Sequence, residues 1–190
     1  MMLKIIGGNK KRKIIEIPKN KVRPTSSKKR ESIFSILESI ALKNNIQLYD
    51  KNYILDLYAG SGSLGLEAIS RGAKFCFFYE KDEYVSKVLD DNCKKVCDNN
   101  YKIISKDIEK CFFNEIKKAP SLIFIDPPYN LNPFKNVLNK LLSKNLISKN
   151  TNIIIETNKN TFLNLPKELK KIDERFFGKT KITFLNLEII

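Results

Sequence analysis

The sequence holds no histidine among its 190 residues. That removes the Ser-His-Asp triad, the H-E-x-x-H zinc site and the most frequent general base together, so any chemistry done here proceeds without imidazole. Cysteine is scarce, and Cys76, Cys93, Cys97 and Cys111 form no C-x-x-C pair; they read as reduced, partly buried small hydrophobes. Cys93 and Cys97 stand one helical turn apart, but no further ligand cluster accompanies them, and no metal is expected. No apolar run approaches the roughly 20 residues that cross a bilayer. The stretch "MMLKIIGGNKKRK" has no apolar segment followed by a small-residue cleavage site, so a cytoplasmic protein without membrane association is expected. Glycine and proline are modest at 7 each, and 42% of residues are hydrophobic. This is the composition and length of one globular α/β domain with a short extension.

Acidic residues are in the minority, 21 against 35 Lys and Arg, for a net charge of +14. Their distribution is uneven. Residues 1–30 contain eleven of the basic residues and a single acid, Glu16, while the rest of the chain is close to balance. A lysine excess of purely compositional origin would be spread evenly, so residues 1–26 are expected to form a basic, RNA-binding extension ahead of a catalytic domain over 27–190. The stretch "IPKNKVRPTSSKK" has the Pro, Ser and charge content of an exposed loop.

Beyond the extension, Ile33, Phe34, Leu37, Ile40 and Ala41 recur at helical spacing, with Ser26 or Ser27 available as an N-cap. Strands then alternate with helices: "YILDLY", a helix near 64–71, "KFCFFYE", a helix near 82–97, "YKIIS", a helix near 108–117, "SLIFID", a helix near 133–142, and "NIIIET". That rhythm predicts a mostly parallel sheet covered on both faces. The final runs, "KELKKIDERFF" and "KTKITFLNLEII", meet near Gly178 and read as an antiparallel hairpin.

The first strand runs into Gly60, Gly62 and Gly65, spaced G-x-G-x-x-G, which brings a helix N-terminus close to a bound nucleotide. Asp56 stands four residues before the first glycine, where its carboxylate opposes a pyrophosphate and suits a cofactor carrying positive charge. S-adenosylmethionine has an ammonium and a sulfonium where a dinucleotide has phosphates, which favours the methyl donor. Glu80, twenty residues after Gly60, is placed to accept hydrogen bonds from ribose hydroxyls. Asp107 ends the third strand region, so three acids are expected to line one groove at the carboxyl edge of the sheet.

The fourth strand delivers Asp126, Pro127, Pro128 and Tyr129 to the same edge. Two prolines mark where the chain leaves the sheet and fix an extended turn with carbonyl oxygens to offer. An acid, a fixed carbonyl and an aromatic ring meet the needs of an exocyclic nucleobase amine: acceptors for its N–H groups and a face for stacking.

In sequence order, "IIGG", "RPT", "RESIF", "DLYAGSGSLGLEAISRGA" and "FIDPPY" resemble the bacterial 16S ribosomal RNA guanine-N2 methyltransferase family, along essentially the whole chain. D-P-P-Y is shared with many amino-methyltransferases, and the N-terminal motifs narrow the family. The resemblance implies a class I methyltransferase fold with a seven-stranded sheet, S-adenosylmethionine as cofactor, and 16S ribosomal RNA, free or in a small-subunit assembly particle, as partner of a monomer. It implies a cofactor set of Asp56, Tyr58, Gly60, Gly62, Glu80, Lys81, Asp107 and Ile108, a catalytic loop of Asp126, Pro127, Pro128 and Tyr129, and RNA contacts from Lys10, Lys11, Arg12, Arg23, Thr25 and Arg30. Arg30 is equally placed to pair with Glu31 instead. One departure is visible: a glycine that the family often carries between basic residues after "IIGG" is replaced in "NKKRK".

Other readings stay open at this level. D-P-P-Y also suits adenine N6 in DNA or RNA, and a noncatalytic RNA-binding protein could retain the fold. A protein-glutamine methyltransferase is disfavoured because Asn stands at the position of Asp126 in such enzymes, and an NAD oxidoreductase is disfavoured by Asp56 and the missing histidine.

Overall fold

The computed structural model describes residues 1–19, 25–128 and 131–188. In chain order the elements are β1 (Met2–Lys4), β2 (Ile14–Glu16), α1 (Ser27–Asn44), β3 (Tyr53–Leu57), α2 (Ser63–Ser70), β4 (Phe75–Tyr79), α3 (Glu83–Val96), β5 (Tyr101–Ile104), β6 (Leu122–Ile125), α4 (Phe134–Ser143), β7 (Asn152–Asn158), β8 (Leu169–Phe177) and β9 (Thr180–Leu187). One sheet runs β5-β4-β3-β6-β7-β9-β8. Its first five strands are parallel, and β9 and β8 close it antiparallel. This is the mostly parallel seven-stranded sheet with a terminal hairpin that the sequence predicts.

Alternation along the strands builds two cores. Ile54, Cys76, Phe78 and Phe124 face α1, α2 and α3, while Leu55, Leu57, Ile123, Ile125, Ile153 and Ile155 face α4 and the chain after β5. Because both faces are covered, the central strands are apolar at successive positions rather than at alternate ones. The side chain of Ser26 caps α1 by accepting from the Lys29 N–H at 3.3 Å. Phe34, on the same helix, is fully buried at 5.8 Å from the Phe124 ring, and a truncation to Ala would cost about 3–5 kcal/mol. Gly65 allows α2 to lie close to the sheet: a Cβ there would come within 2.3 Å of the Phe78 ring.

The helix predicted near 108–117 is reduced to a single 3-10 turn, Ile108–Lys110. Phe113 takes a left-handed backbone, φ 54°, and the chain tucks Cys111, Phe113 and Ile116 under the sheet, Phe113 meeting the Tyr79 ring edge-on at 5.4 Å. Those three positions do not share one helical face, so burying them excludes the helix.

The N-terminal residues form a hairpin docked on the domain. β1 pairs antiparallel with β2, and Ile5, Ile15 and Ile17 are buried. The fully buried Glu67 of α2 accepts from the Ile6 N–H (2.9 Å) and the Gly7 N–H (2.7 Å), and Asn92 of α3 accepts from the Glu16 N–H at 2.7 Å while donating to the Glu16 carbonyl at 2.8 Å. Gly8, at φ 76°, sits so close to α2 that a Cβ would fall 1.8 Å from the Ser70 carbonyl oxygen. Arg12, in the loop of this hairpin, adopts φ 74°, a left-handed conformation that costs a non-glycine residue about 1 kcal/mol.

Candidate active site

The chain proceeds from β3 to β4 and β5 on one side, then returns to β6 and β7 on the other. Ligand crevices of open parallel sheets lie at such a reversal, outside the carboxyl ends of the strands. A cavity of about 640 Å³ opens there, within the range of small-molecule sites.

One wall follows β3 and β4. Asp56 is 3% exposed, and its Oδ2 accepts from the Gly65 N–H at 2.9 Å, in the first turns of α2. Burial pushes its carboxyl up to about 7; the Gly65 hydrogen bond opposes this and the neighbouring Glu80 adds to it. Glu80 accepts from the Gly60 N–H (3.0 Å) and the Asp82 N–H (2.9 Å), so its carboxylate is locked against the glycine turn. Tyr58, at φ 63°, carries a buried hydroxyl without a hydrogen-bond partner among the described residues. Asp56, Tyr58, Gly60, Glu80, Lys81 and Ile108 all line the cavity. Gly62, the residue before α2, does not line the cavity and packs toward Leu66 and Leu89. The Asp107 carboxylate is turned to local work, capping the 3-10 turn through the Glu109 N–H (3.0 Å) and pairing with Lys81 (3.3 Å).

The opposite wall follows β6 and β7. Asp126, Pro127 and Pro128 line the same cavity. The Pro128 carbonyl accepts from the Leu131 N–H at 2.9 Å, whereas the Pro127 carbonyl takes no hydrogen bond among the described residues. Burial raises the Asp126 carboxyl well above the ordinary carboxylate range; Glu156 raises it further, and the Lys29 ammonium and a hydrogen bond from the Thr25 hydroxyl pull against this. Tyr129, expected as the stacking ring, lies outside the described residues.

The residues expected to touch RNA separate into three kinds. Lys11 and Arg12 are exposed on the hairpin loop, and Lys10 is half-buried with its ammonium 3.1 Å from Asp98. Arg23 lies outside the described residues. Thr25 and Arg30 are buried. Thr25 is 4% exposed and hydrogen-bonds Asp126, which makes it part of the cavity. Arg30 is 0% exposed, and its Nη2 donates to the Lys4 carbonyl at 2.7 Å, so it ties α1 to β1 instead of facing solvent.

Glu156, which lines the cavity, and its buried partner Lys29 escape sequence reading. Lys29 Nζ lies 2.5 Å from Glu156 Oε1, both side chains under a tenth exposed, and Glu156 lines the cavity beside Asp126. An acid closing the apolar run "NIIIET" was the available signal for Glu156. Lys29 offered none, being one lysine in a basic stretch.

This arrangement of sheet, glycine turn and acids at the strand tips is that of class I methyltransferases. Among solved structures the chain resembles yhhF of Escherichia coli, provisionally a methyltransferase, with a TM-score of 0.84 at 23% identity over 100% of both chains. The family model described as "Conserved hypothetical protein 95" matches residues 3–186, and the chain belongs to that family. Its relatives include an uncharacterized methylase of Rickettsia prowazekii, 32% identical over 97% of each chain. Another is the ribosomal RNA small subunit methyltransferase D of Buchnera aphidicola, 37% identical over 86% of this chain and 82% of that one.

Proposed function

We propose that the chain uses S-adenosylmethionine to methylate the exocyclic N2 of a guanine in 16S ribosomal RNA, free or within a small-subunit assembly particle, as a cytoplasmic, metal-independent monomer. The carrying observation is that one cavity joins the buried Asp56 to the Asp126–Pro127–Pro128 turn. The names of relatives such as that of Buchnera aphidicola support ribosomal RNA as substrate, as does the crowding of basic residues in positions 1–30.

The residues present suit the donor. A carboxyl raised to about 7 by burial is a place where a cation is welcome and a pyrophosphate is not, and the Tyr58 hydroxyl has a buried polar atom to offer. Asp56 would hold the ammonium, Glu80 the ribose hydroxyls, and Ile108 would border the adenine. When bound, the donor supplies an electrophilic methyl on a sulfonium.

The chain's own residues act on the amine. The lone pair of guanine N2 is delocalised into the ring, so the amine is a weak nucleophile. Asp126 and the Pro127 carbonyl accept from its two N–H groups, which favours a tetrahedral nitrogen and aims the lone pair across the cavity. Asp126 then receives the proton that N2 sheds, a role that its raised proton affinity suits. The base is everted from its neighbours to reach the cavity, and Tyr129 stacks on it.

Incubation with labelled donor and unmodified small-subunit RNA, followed by digestion to nucleosides, should yield N2-methylguanosine. N6-methyladenosine would refute the choice of base, and absence of both transfer and donor binding would point to a noncatalytic RNA-binding protein.

A further inference from the structure

Resting on the guanine reading above, we propose that Glu156 is the residue by which the cavity distinguishes guanine from adenine: its carboxylate, backed by the Lys29 ammonium, accepts from N1–H while Asp126 accepts from N2. β6 and β7 are parallel with Ile125 beside Ile155, so Asp126 and Glu156 are the next pair in step, on strands about 4.8 Å apart. Both residues line the cavity.

The Watson–Crick edge of guanine carries two adjacent donors, N1–H and N2–H. Adenine presents a bare N1 lone pair beside its amine. Two neighbouring acceptors therefore match guanine, and set a carboxylate against the lone pair of adenine. Lys29 reaches Glu156 Oε1 at 2.5 Å without itself lining the cavity, so it offsets charge and fixes the side chain while leaving the base edge to the carboxylate. A buried ion pair is often replaceable by apolar residues at no cost in stability, which is consistent with this one having a recognition role. The electrostatic influence of Glu156 on Asp126 places the two carboxyls in one local field.

The test uses reconstituted small-subunit particles bearing, at the position modified by the wild-type protein, either guanine or 2-aminopurine, which keeps the N2 amine but has a lone pair at N1. Wild-type protein should prefer guanine in kcat/KM by about thirtyfold or more. Glu156→Gln, whose amide can donate to that lone pair, should bring the ratio within about threefold. Removing one charge of a buried pair can unfold a protein, so the double variant Lys29→Met, Glu156→Gln is measured alongside and should show the same collapse of the ratio. A purely structural Glu156 would lower turnover of both substrates together. An unchanged ratio in whichever variant melts cooperatively, or a wild-type ratio near one, overturns the assignment. Wild-type protein that methylates adenine N6 overturns the guanine reading itself, and does so before any variant is made.

Discussion

Binding of S-adenosylmethionine should release a proton from Asp56, and its affinity should therefore fall as the solution is acidified. In the free protein burial, and to a lesser degree Glu80, push the carboxyl up to about 7, with no counter-cation beside it among the described residues, and a bound ammonium would draw it back toward the ordinary range. Protonated Asp56 must lose its proton before the cation is accommodated. From pH 7.5 to pH 6.0 the Asp56 penalty factor grows from about 1.3 to about 11, and with the donor's amine about a third uncharged at pH 7.5 the net rise in Kd should be about sixfold, or ~1 kcal/mol. The donor's own α-ammonium loses its charge with a midpoint at about pH 7.7–8.0, so affinity should peak near pH 7.5. Isothermal titration calorimetry in buffers of different ionisation enthalpy should count about 0.9 proton released at pH 6.0 and close to none at pH 7.5, where uptake by the donor's amine offsets release from Asp56. Asp56→Asn should weaken binding and flatten the acid limb. A flat profile in the wild type, or an acid limb that survives in Asp56→Asn, would refute the assigned role.

The same raised carboxyl has a sign for stability: its folded value lies above the unfolded one, so the contribution is present at low pH and lost as pH rises through about 7. The donor-free protein should melt at a lower temperature at pH 8 than at pH 6, and Asp56→Asn should remove that difference. Asp126→Asn should abolish methyl transfer with RNA affinity nearly unchanged in a filter-binding assay, because the loss falls on the amine and not on the phosphates. Asn92→Ala removes hydrogen bonds to the Glu16 backbone and to the Ser61 carbonyl at 3.0 Å; chemical denaturation should show a loss of about 2–3 kcal/mol. Arg12→Gly relieves a left-handed backbone and should stabilise the fold by about 1 kcal/mol, while weakening RNA binding and lowering its salt dependence. An unchanged salt slope would show that Arg12 contacts no phosphate.

Local pattern failed where packing had to choose between conformations. The run after β5 has the composition of a helix, yet Phe113 lies buried in a left-handed turn under Tyr79. Arg30 and Thr25 belong to a basic stretch and look solvated, yet one ties α1 to Lys4 and the other serves Asp126. A charge run records how many cations a segment has, and the surface onto which it folds decides which of them face water.

The sequence by itself determined the parallel sheet, the glycine turn after β3 and the acids at the strand ends, because period, turn chemistry and strand-end position are local properties of the chain. Only the tertiary structure decided that Asp56 is buried enough to titrate near neutrality, that the N-terminal residues dock on Glu67 and Asn92, and that Lys29 meets Glu156 beside Asp126. Those depend on desolvation and on contacts between residues up to 127 positions apart, which no window of sequence contains.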